Sequence, residues 1–133
     1  MINLVLLFSI LLSTLIFGLL YLRSKGEIRE NSGFQIFESE LGSKYGKRAT
    51  VVQFSTTFCS ECRAAKALIS DVVSTQNEIA YIEIDAESNL ELVRKVDIRS
   101  TPTTLFLDKA GFEIARATGA PKRDQLIKVI ASL

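Results

Sequence analysis

The chain has 133 residues, 47% apolar and 23% charged, enough for one ordinary domain with a short appendage and too few for two. With 16 Lys and Arg against 15 Asp and Glu the net charge is +1, which gives no electrostatic case for a nucleic-acid partner. Histidine is absent, which excludes Ser-His-Asp and Cys-His catalysis and imidazole metal sites; two cysteines, Cys59 and Cys62, exclude a disulfide-rich scaffold and a four-thiolate site within one chain.

Residues 2–22 carry no charge, and a helix of that length spans ~31 Å at ~1.5 Å per residue, matching a ~30 Å hydrocarbon core. A cleavable signal peptide would want a basic start and small residues at a cleavage site, and neither precedes Arg23. Residues 1–23 are therefore expected to form a single-pass membrane anchor. Its basic flank, Arg23, Lys25 and Arg29, favours a domain facing the cytoplasm. Residues 24–33 are polar, end in Asn-Ser-Gly and show no apolar period, so they are expected to be a linker to a domain at 34–133.

Within that domain residues 34–37 suit a short strand and 38–45 a short helix. Residues 49–55, rich in Val and Phe, suit a buried strand interrupted by Gln53. Cys62, Ala65, Ile69, Val72, Val73 and Gln76 recur at helical steps and leave Arg63, Lys66 and Asp71 for water. Residues 79–85 alternate, with Ala80, Ile82 and Ile84 on one face. A helix over 89–96 is expected to be capped by Ser88. Residues 103–107 and 112–117 form a hairpin around Asp-Lys-Ala-Gly, and 121–133 close the chain as a helix burying Leu126, Ile127, Ile130 and Leu133. This order predicts an α/β domain, a mixed central sheet with helices on both faces.

Cys59-Ser60-Glu61-Cys62 falls where the 49–55 strand passes into the long helix. Free N–H groups and the helix dipole there favour thiolate at Cys59, while Cys62 is one turn further in. Cys59 is then the attacking sulfur and Cys62 the resolving one, and the spacing lets the pair cycle between dithiol and disulfide. A CxxC pair can also be half of a zinc site shared by two chains, or two inert buried thiols.

The sequence resembles the thioredoxin family over 34–133. The resemblance rests on Val51-Val52-Gln53-Phe54, Phe58-Cys59-Ser60-Glu61-Cys62-Arg63, Ile82-Glu83-Ile84-Asp85, Ile98-Arg99-Ser100-Thr101-Pro102-Thr103 and Gly119-Ala120. It implies a thioredoxin fold, exchange through a mixed disulfide on Cys59, a cis Pro102 facing the cysteines, and a Thr101 backbone that pairs with substrate. Phe58 stands where the family usually has Trp, and Ser60-Glu61 replaces Gly-Pro. Glu61 sets a carboxylate against the thiolate, with Arg63 as a counter-charge. Gln53 replaces the family's buried acid, and Tyr81 stands where its lysine partner is common.

The expected function is membrane-anchored thiol-disulfide exchange with protein substrates, served by a reductase or membrane thiol carrier. Beyond the Cys59–Cys62 disulfide, no cofactor or metal is expected. The competing reading is a polypeptide-binding module at Thr101-Pro102 with little redox turnover.

Overall fold

The computed structural model describes residues 1–24, 26–30 and 33–133, apart from the Glu30 side chain. Lys25 of the basic flank, and Asn31 and Ser32 of the expected linker, lie outside the described residues.

Helix α1 covers Ile2–Ser24, is solvent-exposed along its length, and contains an 18-residue stretch with a mean hydropathy of 2.5, long and apolar enough to cross a membrane. Its hydroxyls do not break it, because Ser9, Ser13 and Thr14 each donate to a carbonyl three residues back.

The domain is a five-stranded sheet in the order β1-β5-β4-β2-β3, built from β1 (Ile28–Glu30), β2 (Ala49–Ser55), β3 (Ile79–Asp85), β4 (Thr103–Asp108) and β5 (Glu113–Thr118). Only β2 and β3 run parallel, joined through helix α3 (Ser60–Val73) as a strand–helix–strand unit requires. The remaining helices are α2 (Glu38–Leu41), α4 (Leu90–Lys95) and α5 (Arg123–Ser132).

Period two along the strands divides the core. Ala49, Val51 and Phe106 face Ala65 and Ile69 of α3 and Leu126 and Ile130 of α5. Val52, Phe54, Leu105 and Leu107 face Leu41 of α2 and Leu92 of α4. Helices thus cover both faces, as the element order requires.

Several local expectations change. Residues 34–37 are not a strand: Gln35 makes one isolated bridge to Phe112, while Ile36 is fully buried. The following helix stops at Leu41 because Gly42 takes a left-handed φ of 66°; Tyr45 lies beyond it and donates its hydroxyl to the Ile36 carbonyl. The stretch expected to be a linker contains β1, whose Ile28 pairs with Ala117 and whose Ile28 N–H donates to Gln125. Three residues are too few to show alternation, so tertiary pairing alone defines this strand. Ser88 does not cap α4; its hydroxyl donates to Asp85, and Asn89 occupies the cap position. Ile127 is 48% exposed, because α5 points Leu126 and Ile130 inward instead.

Candidate active site

Strand β2 is buried at every position and delivers the chain into a short turn, Thr56 to Phe58, that rises to the first turn of α3. Cys59 is the N-cap of α3, and its sulfur accepts the Cys62 N–H at 3.1 Å. A sulfur therefore occupies the place a cap oxygen would, in the positive field of the helix start. Cys59 and Cys62 are joined by a disulfide, with Cα atoms 5.2 Å apart. Cys62 is 3% exposed while Cys59 is half-buried, so the sulfur open to attack belongs to Cys59.

Two loops face this turn. The Thr101–Pro102 peptide is cis, Pro102 is buried, and the Pro102 carbonyl accepts from the Gly119 N–H at 2.8 Å. The hydroxyls of Thr56 and Thr101 lie 3.3 Å apart and tie the cysteine turn to the proline loop. Thr56 had no assigned role in the sequence, since a hydroxyl in a turn carries no pattern. Phe58 is 98% exposed and stands free beside Cys59. Glu61 and Arg63 are both exposed on the first turn of α3.

Beneath the helix start, Gln53 is fully buried. Its Nε2 donates to the Cys62 carbonyl at 2.9 Å, and its Oε1 accepts the Tyr81 hydroxyl at 2.8 Å. A carbonyl can only accept, so the Cys62 oxygen fixes which end of the amide faces it and leaves Oε1 for the phenol. Gln53 and Tyr81 thus form a neutral buried pair in which the amide nitrogen and the amide oxygen each have a partner. Burial, then the Glu83 carboxylate, push the Tyr81 hydroxyl far up, so it stays protonated and remains a donor. Behind it the Lys66 ammonium and the Ser55 hydroxyl hold the Glu83 carboxyl below the usual range, against the effect of burial. At the end of β3, the Asp85 carboxylate accepts the Glu87 N–H and the Ser88 hydroxyl.

The chemistry available is that of two sulfurs. Among the described residues no group of three or more His, Cys, Asp or Glu gathers that would hold a metal ion.

The sequence profile of the Thioredoxin family matches residues 31–132. Thioredoxin from Gallus gallus is 31% identical over 97 residues, covering 73% of this chain and 90% of that one. Thioredoxin H5 from Oryza sativa subsp. japonica is 32% identical over 82 residues, covering 62% of this chain and 59% of that one. Among solved structures, thioredoxin NaTrxh from Nicotiana alata superposes with a TM-score of 0.60 at 26% identity, covering 71% of this chain and 80% of that one. Fasciola hepatica thioredoxin shares the fold with a TM-score of 0.59 at 24% identity, over 71% and 86% of the two chains. The profile match, the mixed sheet and the Cys59–Cys62 disulfide at the start of α3 agree, and the chain belongs to the thioredoxin family as a thioredoxin-like disulfide oxidoreductase.

Proposed function

We propose that this chain is a membrane-anchored oxidoreductase that exchanges disulfides with protein substrates, Cys59 attacking and Cys62 resolving. The observation that carries this reading is the contrast between the two sulfurs: Cys59 caps α3 and is accessible, while Cys62 is almost fully buried one turn below. In the reducing direction the Cys59 thiolate attacks a substrate disulfide. A Cys59–substrate S–S bond forms, the substrate S–S bond breaks, and the departing thiolate takes a proton from water. The Cys62 thiolate then attacks Cys59, closing the internal disulfide and releasing the second substrate sulfur. Two electrons pass to the substrate, and the reverse sequence oxidises it.

Thr101 and Pro102 dock the substrate backbone beside the cysteines, and Phe58 supplies an apolar wall. Helix α1 spans the bilayer, supported by its hydropathy and its exposure throughout. The basic flank supports a cytoplasmic domain, so reduced Cys59 should resist an impermeant maleimide until the membrane is opened.

The test is trapping. A Cys62→Ser chain should accumulate mixed disulfides with protein clients, and Cys59→Ser should accumulate none. Clients that associate equally well with Cys59→Ser, with no mixed disulfide in the first variant, would establish a binding module instead.

A further inference from the structure

The connection between α1 and the sheet is short and is fastened at its sheet end, at Gly26. One residue separates Ser24, the last of α1, from Gly26. Gly26 is buried with φ 78°, its N–H donates to the Thr118 carbonyl at 2.9 Å, and a Cβ there would lie 2.2 Å from the Ala120 carbonyl oxygen. Two residues later Ile28 enters the sheet against Ala117. The tether is thus fastened to the Gly119-Ala120 loop, which itself bonds the Pro102 carbonyl.

This fastening has a spatial result. A cleft of about 690 Å³ is lined on one side by Tyr21 and Ser24 of α1 and on the other by Glu61, Ser100, Thr101 and Gly119. The uncharged run of α1 ends at Leu22, so Tyr21 and Arg23 belong at the bilayer–water boundary. Glu61, one of the two residues between the cysteines, and the loop that docks substrate therefore share one cleft with the point where the chain leaves the membrane. Glu27, Arg29, Arg116 and Thr118 complete the lining, and the three charged ones with Glu61 give it charges of both signs. Such a lining offers charged and polar partners to a hydrated polypeptide.

We infer that the short tether, fastened at Gly26, restricts exchange to disulfides presented at the membrane surface, in a polar juxtamembrane segment of an integral membrane protein. This rests on the anchored, exchanging enzyme proposed above and adds to it the height at which a substrate sulfur must lie. A flexible tether would sample many heights, whereas this one has no slack.

The test places the full-length reduced chain in phosphatidylcholine–phosphatidylglycerol vesicles with a synthetic transmembrane peptide. The polar extension of the peptide carries one cysteine capped as a mixed disulfide with thionitrobenzoate, set about 3 or about 20 residues beyond the membrane, the latter reaching up to ~65 Å. Attack by Cys59 releases the coloured thionitrobenzoate thiolate or the peptide thiolate, and Cys62 then closes the internal disulfide. The near position should react at least about tenfold faster than the far one, a difference of about 1.4 kcal/mol. A Gly/Ser spacer of about 12 residues inserted after Ser24, adding ~20 Å of reach, should erase that preference. Gly26→Val, which drives a side chain into the Ala120 carbonyl, should weaken it by a second route. Equal rates at both positions in the unaltered chain, or a preference that survives the spacer, would overturn the inference. Controls separate this from failure of the underlying reading: inertness toward the free soluble aromatic disulfide defeats exchange itself, and release of the chain from vesicles by alkaline carbonate defeats the anchor; either also overturns the inference.

Discussion

Gln53 and Cys62 are joined by a 2.9 Å hydrogen bond from a buried side-chain amide to the backbone carbonyl of the more deeply buried cysteine. The site beneath the disulfide therefore holds a group that orients the helix start and cannot itself take or give a proton. Tyr81 completes that arrangement from the neighbouring strand, its hydroxyl donating to the amide oxygen at 2.8 Å.

Resolution of the mixed disulfide should be slow for this reason. Gln53→Asp supplies a buried carboxylate next to Cys62 and should speed the second step by about tenfold or more, at the modest end of general-base effects. Stopped-flow release of a labelled peptide from Cys59 measures it. Resolution no faster in Gln53→Asp would show that proton removal from Cys62 is not limiting.

Tyr81→Phe leaves Gln53 Oε1 buried without its donor and should cost about 1 to 3 kcal/mol of stability. Urea unfolding with the disulfide intact reads the loss. An unchanged midpoint would mean that the amide finds another donor.

In the reduced chain Cys59 should be alkylated by iodoacetamide at neutral pH at least about tenfold faster than Cys62, because thiolate character and access coincide at the helix cap. Peptide mapping of a brief alkylation decides it, and equal labelling would contradict the assignment of attacking and resolving sulfurs.

Acid should remove a small part of the stability through Glu83. Its carboxyl sits below the ordinary value, chiefly through Lys66 and Ser55, so its contribution is full above the unfolded pKa and disappears as pH falls through the native one. The group is 33% exposed, which limits the effect to less than about 1 kcal/mol. Glu83→Gln should flatten stability against pH below about 4.5 while leaving neutral redox exchange intact.

Glu113 is fully buried and paired with Arg116, which also donates to the Val96 carbonyl. Glu113→Ala should destabilise by about 3 to 5 kcal/mol by stranding the guanidinium, and Glu113→Val combined with Arg116→Met should recover most of that loss. Thermal unfolding of the single and double variants distinguishes an ion pair that is costly to break from one that is needed for the fold.

Much of this was legible in the residues. The CxxC at a strand-to-helix junction is a local pattern with a chemical reason, whereas the Thr101-Pro102 step and the place of Gln53 beneath the cysteines were legible only through the family resemblance. What escaped was set by contacts between distant segments. β1 exists only because Ile28 meets Ala117, and the 34–37 run yields its strand pairing to a single bridge because Ile36 is needed in the core. The bond from Tyr81 to Gln53 could have been anticipated, since both lie on the face of their strands that packs under α3. The cleft that Tyr21 shares with Thr101 could not, as it depends on how Gly26 sits against the Thr118–Ala120 stretch.

The central claim is reversible electron exchange at Cys59 and Cys62, and equilibration of the purified full-length chain in graded mixtures of reduced and oxidised dithiothreitol tests it most directly. The free-thiol content should pass from none to two per chain in a single two-electron transition, reached from either direction, and Cys59→Ser should abolish it. A disulfide that stays closed across the whole range, or thiols that never pair, would contradict the account.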